Sequence, residues 1–385
     1  MATTHVFIVD TKTFIIHLEY LFAGTGAGDK IVDFNNCITT DLPHTTENNL
    51  VSMIADSQRI RKDDFVIFYL QQNSRQCVYE GKFYGIFKAK ENLSFLDNNN
   101  QLQYLKNELV KSLTFRTLLE PYQVFPKGVT EWEALDEIKL IQSPNQMLWS
   151  LIYRKLKGNR GNTMITIYES ERLFKLLRDK NSRRTLNSNR FTYDIDTQEI
   201  IVNHQRNNYA GRKEAINIFP RLENKYINYR AFESHLQAYI VQNIGRGINQ
   251  TLDACLLGNL PIEWLGNEVS CGVGMQRIDV ACSLVKDSSR IISAIELKAV
   301  EANPNNINQL QRYVDWLEQY YIPNRISDIQ PVLVSKKIHD KSLTYYKDII
   351  DSFNTFNTRN HKCVPLKYIE YELANHVLVF CEVQY

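Results

Sequence analysis

The residues best able to do chemistry lie in two short segments. In 292–300 (ISAIELKAV), Glu296 and Lys298 stand two apart. A strand would project both from one face and turn Ile295, Leu297 and Ala299 to the other. In 276–282 (QRIDVAC), Asp279 precedes Glu296 by 17 residues, a separation that suits neighbouring antiparallel strands joined by the VKDSSRI turn. An acid on each of two adjacent strands offers a hard divalent cation oxygen ligands, with water completing the shell. A lysine two residues from one ligand can polarise a water and neutralise a phosphate. Charges inside so apolar a run are costly unless something uses them. Two helical patterns flank the pair: FESHLQAYIV carries Glu233, and NQLQRYVDWLEQYY sets Gln309 and Tyr313 four apart on one face.

These residues need elements to hold them. Strands are predicted at 5–9, 64–70 and 82–89, rich in Phe, Tyr, Ile and Val, with Gly81 and Gly85 permitting the bends of a closed or strongly curved sheet. Helical periodicity follows at 146–156 and 168–177. The stretch 181–226 is polar and encloses a hairpin pattern, FTYDIDTQEIIV. From 226 the pattern is a helix at 229–243, strands, a helix at 306–321, a strand at 331–335, a helix at 341–353, and strands at 366–372 and 377–383. This mixed order indicates an α/β sheet flanked by helices. The predicted organisation is a first domain at 1–185, a connector at 186–225 and a second domain at 226–385.

With 385 residues, 44% apolar and 23% charged, the chain can bury two ordinary cores. The net charge of +2 is uneven: residues 154–190 hold eleven basic side chains against three acidic ones. Within that window RKLKGNRG (154–161) reads as a phosphate-contacting loop. Seven cysteines with no CxxC pair argue against a disulfide framework or a four-thiolate zinc site and fit a reducing cytoplasm. No stretch approaches the roughly 20 apolar residues of a membrane span, so no membrane partner is expected. AGTGAGDK (23–30) lacks the spacing of a phosphate-binding loop and reads as a flexible loop.

The ordered set in the second half resembles the PD-(D/E)xK nuclease superfamily, within it the RecB-like and NucS-like branch. Glu233 matches the helix acid. Arg277, Ile278 and Asp279 match Arg-Ile-Asp on one strand, Glu296 and Lys298 match Glu-x-Lys on the next, and Gln309 and Tyr313 match Gln-x-x-x-Tyr on a helix. Gln276 stands where the NucS-like pattern has Gly, and Ile278 where the superfamily's name has Pro. The resemblance implies a restriction-endonuclease-like α/β sheet and Mg²⁺-dependent phosphodiester hydrolysis, with Mn²⁺ substituting. Asp279, Glu296 and the Leu297 carbonyl would hold the metal, and Lys298 would orient the attacking water. Glu233 would complete the shell or hold a second water, and Gln309 and Tyr313 would brace the site and contact the phosphate backbone.

The first domain resembles the EVE and YTH-like members of the PUA-like superfamily in the layout of KDDFVIFYL, GKFYGIFKA and LLEPYQVFPKGVTEWEALD. That likeness implies a β-barrel with helices that holds a nucleobase, with Tyr69, Tyr84, Trp132 and Trp149 lining the pocket. Arg154, Lys155, Lys157, Arg160, Arg183, Arg184 and Arg277 are the expected DNA contacts. The joint expectation is a restriction-type or modification-sensing endonuclease on double-stranded DNA, acting as a homodimer because one site per chain cuts one strand. The rivals are a mismatch- or structure-specific repair nuclease and an inactive nucleic-acid-binding protein.

Overall fold

The computed structural model describes every residue except 1, 35–41, 77, 137–140, 149–160, 206 and 272–275. The chain forms two compact units, one of residues 1–33, 56–143 and 147–216, the other of residues 34–55, 144–146 and 217–385. Both are mixed α/β.

In chain order the first part runs β1 (Thr4–Val9), α1 (Thr11–Tyr20), β2 (Phe22–Thr25), α2 (His44–Gln58), β3 (Phe65–Leu70), β4 (Lys82–Ala89), β5 (Phe95–Leu96), α3 (Lys106–Leu109), β6 (Phe115–Gln123), β7 (Val129–Thr130), α4 (Glu131–Asp136), β8 (Asn162–Ile165), α5 (Ile167–Lys180) and the hairpin β9 (Phe191–Asp194) and β10 (Glu199–Val202). The first unit's main sheet has the order β2-β6-β4-β3-β1-β8, with β5 on β6 and β7 on β4. Strands β1 and β3 are parallel. Apolar residues cover both faces. Val66, Phe68 and Leu70 of β3 pack with Phe7, Phe14 and Tyr84 on one side, and Ile67 and Tyr69 with Val6, Phe83 and Leu173 on the other. Helix α5 begins at a reciprocal cap in which Thr166 and Glu169 satisfy each other's backbone N–H groups.

Three expectations change here. The sheet curls at Gly85 (φ 65°) and the pairing of β3 with β4 slips beside it, but the end strands β2 and β8 do not pair among the described residues, so the sheet is a half-barrel. The 23–30 segment starts as buried strand β2, and just beyond it glycine lets the chain lie close to its neighbour: a Cβ on Gly26 would fall 2.1 Å from the Ser112 carbonyl oxygen. The hairpin placed in a connector at 186–225 belongs to the first core, where Phe191, Tyr193 and Ile200 pack with Phe14, Tyr84 and Phe87. Its polar flanks hide three inward apolar side chains, and the boundary falls after residue 216. The helix expected at 146–156 lies mostly outside the described residues.

The second unit continues with α6 (Phe219–Ile227), α7 (Glu233–Asn243), α8 (Gln250–Leu257), β11 (Ile262–Ser270), β12 (Arg277–Lys286), β13 (Ser289–Glu301), α9 (Asn306–Trp316), β14 (Asp328–Lys336), α10 (Thr344–Arg359), β15 (Lys367–Ala374) and β16 (Val377–Val383). Its six strands lie side by side in chain order. Strands β13, β14 and β15 are parallel, so each step needs a crossover, which α9 and α10 supply. The other pairs are antiparallel. Central strand β13 is buried from Ile292 to Leu297. Its predicted partnership with β12 is present, with Asp287 (φ 51°) in the connecting turn. The helix expected to start at 229 starts at Glu233 instead, because Tyr229 adopts a left-handed φ of 53°. Among the described residues, no helix is long and apolar enough to cross a membrane.

Candidate active site

Acids occupy one level across three adjacent strands of the second unit. The ladder between β11 and β12 pairs Asn267 with Val280 and Val269 with Ile278, which leaves Glu268 opposite Asp279. Between β12 and β13 the ladder ends at Val280 and Ile295, so the next level brings Asp279 beside Glu296. Like charges on neighbouring strands repel, and regular pairing lapses at this level. Glu268 adopts a left-handed φ of 46°. The Leu297 N–H donates to Asp279 Oδ2 at 2.9 Å. Gln237 of α7 anchors the level from one side, donating to the Asp279 carbonyl at 2.8 Å.

Glu296 is almost fully buried and is held from two directions. Lys298 forms an ion pair with its Oε1. Tyr313 of α9 shares its single hydroxyl proton between Glu296 Oε2, at 2.5 Å, and the Arg277 carbonyl, at 2.8 Å. Glu233 stands in the first turn of α7. Burial, together with the nearby Glu296, pushes the Glu233 carboxyl above its ordinary range, against the pull of Lys298 and the Ala299 N–H. Asp279 is driven up more strongly, first by burial and then by Glu296 and Glu233. Burial works against the Lys298 ammonium, but Glu296, Glu233 and Asp279 together hold its pKa above the lysine norm. Three carboxylates thus bear on one lysine, an imbalance that a bound cation would relieve.

The donor set suits such a cation: two carboxylates, the Leu297 carbonyl and water are hard oxygen ligands. Among the described residues no three His, Cys, Asp or Glu side chains are gathered tightly enough to hold an ion by themselves. A cavity of about 200 Å³ opens beside the level, lined by Glu233, Ser234, Gln237, Glu268, Arg277 and Asp279. Ser234, Gln237 and Glu268 escaped the sequence reading. Only their distant strand and helix partners reveal them.

The remaining expected residues scatter. Gln309 is half-buried on α9. Tyr313 is only 3% exposed, so it positions Glu296 and cannot reach a phosphate backbone as expected. Arg277 is engaged by Glu268 at 2.5 Å, which offsets the charge assigned to DNA. Arg183 and Arg184 are exposed just beyond α5. Arg154, Lys155, Lys157, Arg160 and Trp149 lie outside the described residues. Tyr69 and Tyr84 are core residues on opposite faces of the first sheet, donating to Glu131 and to the Gln198 carbonyl, while Trp132 is 62% exposed. These three do not line one pocket.

A different cavity of about 200 Å³ exists in the first unit, lined among others by Thr13, His17, Thr25, Gln71 and Lys111. His17 is buried between Phe22 and Phe68, and neither ring nitrogen has a hydrogen-bond partner. Burial and the Arg116 charge push its pKa down to about 3, so it is a neutral imidazole with one donor and one acceptor.

No family model matches the chain, and no curated protein matches it. Among solved structures, human THYN1 in complex with 5-methylcytosine-containing DNA is similar over 46% of this chain and 96% of that one, at 10% identity and a TM-score of 0.27.

Proposed function

We propose that the second unit is a Mg²⁺-dependent DNA endonuclease, with Mn²⁺ able to substitute, and that the first unit reads the DNA it cuts. The observation that supports the reading is the level of acids at Glu268, Asp279 and Glu296 with Lys298 beside it. A cation bound there would stabilise charge developing on the phosphate and lower the pKa of an attacking water. Glu233, at the cavity wall with its pKa raised above the carboxylate norm by burial, suits holding that water and taking its proton. Glu296 would help hold the cation, and Lys298 beside it would neutralise the phosphate. Tyr313 keeps Glu296 in place and is a positioning residue.

Contacts to phosphate and metal carry no sequence information, so selection falls to the other unit. The first unit's cavity takes the place of the aromatic set as the candidate base pocket, since Thr13, Thr25, Gln71 and Lys111 on its wall offer donors and acceptors that can read the edge of an extruded base. A restriction-type or modification-sensing role follows from a reader joined to a cutter, and a double-strand cut calls for a homodimer on duplex DNA.

The test is digestion of modified and unmodified genomic DNA side by side in Mg²⁺, Mn²⁺ and EDTA, with light scattering of the DNA complex. Cleavage that needs the metal and differs between the DNAs is expected. No cleavage of any DNA, with binding retained, would leave a nucleic-acid-binding protein. A monomeric complex that only nicks would point to the repair-type rival.

A further inference from the structure

The strand that carries Glu296 and Lys298 breaks step with its neighbour just past them. From Leu297 to Glu301 β13 advances four residues while β14, from Val334 to Lys336, advances two. Lys298, Ala299 and Val300 therefore stand in a bulge, whose backbone groups must find partners outside the ladder. Two of them do so at the site. The Ala299 N–H donates to the Glu233 carboxylate, and the Lys298 carbonyl accepts from the Tyr371 hydroxyl at 2.9 Å. Tyr371 stands one strand beyond β14, where it pairs with Lys336, so its side chain passes β14 to reach β13. It is fully buried, and its ring packs with Phe232, the residue before Glu233, and with Tyr226 and Phe380, at centre distances of 6.4, 6.4 and 6.0 Å. Burial pushes the phenol well above its ordinary range, so the hydroxyl keeps its proton and donates.

We propose that Tyr371 is a positioning residue for cleavage: by holding the Lys298 carbonyl it fixes the bulge, and the bulge sets the Leu297 carbonyl, the Lys298 side chain and Glu233 in one arrangement. The proposal rests on the nuclease reading of those groups. A bulged strand has lost local ladder bonds, so a single buried hydroxyl takes a large share in deciding where it lies. Tyr371 meets neither cation nor phosphate and acts through the residues that do.

The test compares Tyr371→Phe with Tyr239→Phe in the full chain. Each removes one buried hydroxyl and keeps its ring, but that of Tyr239 accepts from Asn249 ahead of α8. In Tyr371→Phe the backbone amides of 297–301 are expected to exchange hydrogen faster, Mn²⁺ binding followed by electron paramagnetic resonance to weaken about tenfold, and kcat on duplex DNA to fall about tenfold at unchanged KM. Tyr239→Phe should match the native chain in all three. Exchange and Mn²⁺ affinity left unchanged by Tyr371→Phe, or altered equally by Tyr239→Phe, would overturn the proposal. Failure of the nuclease reading shows separately, as a native chain that cleaves no DNA in Mg²⁺ while the exchange difference between the two variants persists.

Discussion

Buried charge is arranged in opposite ways in the two units. In the first, Asp97 and Arg116 are both fully buried and answer each other. Arg116 pairs with Asp97 at 3.1 Å and donates to the Leu113 and Tyr104 carbonyls, while Asp97 also accepts from Arg212, Tyr209 and the Tyr104 N–H. In the second, Asp279 and Glu296 lie side by side with Glu233 near and one lysine among them. The imbalance is local. Elsewhere in the second unit Glu47 is answered by Arg221 at 2.7 Å, His235 at 2.9 Å and Lys225 at 3.1 Å. Burial alone would raise Glu47, yet these partners hold it well below the carboxylate norm. Matched charges secure a fold, whereas an unmatched surplus of one sign stores strain that a ligand can release.

That contrast can be broken most severely at the acid level. Asp279→Ala or Lys298→Ala should lower cleavage in Mg²⁺ by about a thousandfold, roughly 4 kcal/mol of transition-state stabilisation, with DNA affinity nearly intact. Single-turnover cleavage beside a binding titration checks it, and full activity in either variant would remove the site. In the first unit the loss should appear in stability instead. Arg116→Met leaves Asp97 buried against fewer partners and should cost about 3 kcal/mol in denaturant unfolding.

Acid sharpens the comparison further. His17 has a folded pKa of about 3, whereas an unfolded histidine titrates near 6.5. Its contribution is whole above about pH 6.5 and is lost as pH falls from there toward 3, because the unfolded chain takes the proton first. The slope should reach about 1.4 kcal/mol per pH unit for this one proton, and His17→Gln should remove that much from the pH profile of unfolding. The smallest effect expected is a gain. Asp279→Asn takes one like charge out of the crowded level and should raise stability by about 1 kcal/mol while activity falls. A variant less stable than the native protein would mean that the crowding is not strained.

Much of the site was legible because its residues are local. The two-residue spacing in Glu296-Leu297-Lys298 and the short turn after Lys286 dictate a hairpin, and a hairpin's register brings Asp279 to Glu296 without further help. What lies outside that hairpin was not legible. Glu268 reaches the level through a second ladder, and Tyr313 and Gln237 through helices whose packing no periodicity encodes. The base pocket failed for a related reason: Tyr69 and Tyr84 have the composition of a cage, but alternation on β3 and β4 buries them in opposite cores.

By itself the sequence determined the strand and helix periods of both units, the metal-suited hairpin and the lack of any long apolar span. Tertiary structure decided which unit each segment joined. Residues 34–55 belong to the second unit, where Glu47 meets Arg221 and His235, and the 191–202 hairpin belongs to the first. It also decided where charge is left unmatched. Local propensity acts over a few residues, whereas these outcomes turn on which side chains, more than a hundred positions apart in the case of Glu47, lose water together.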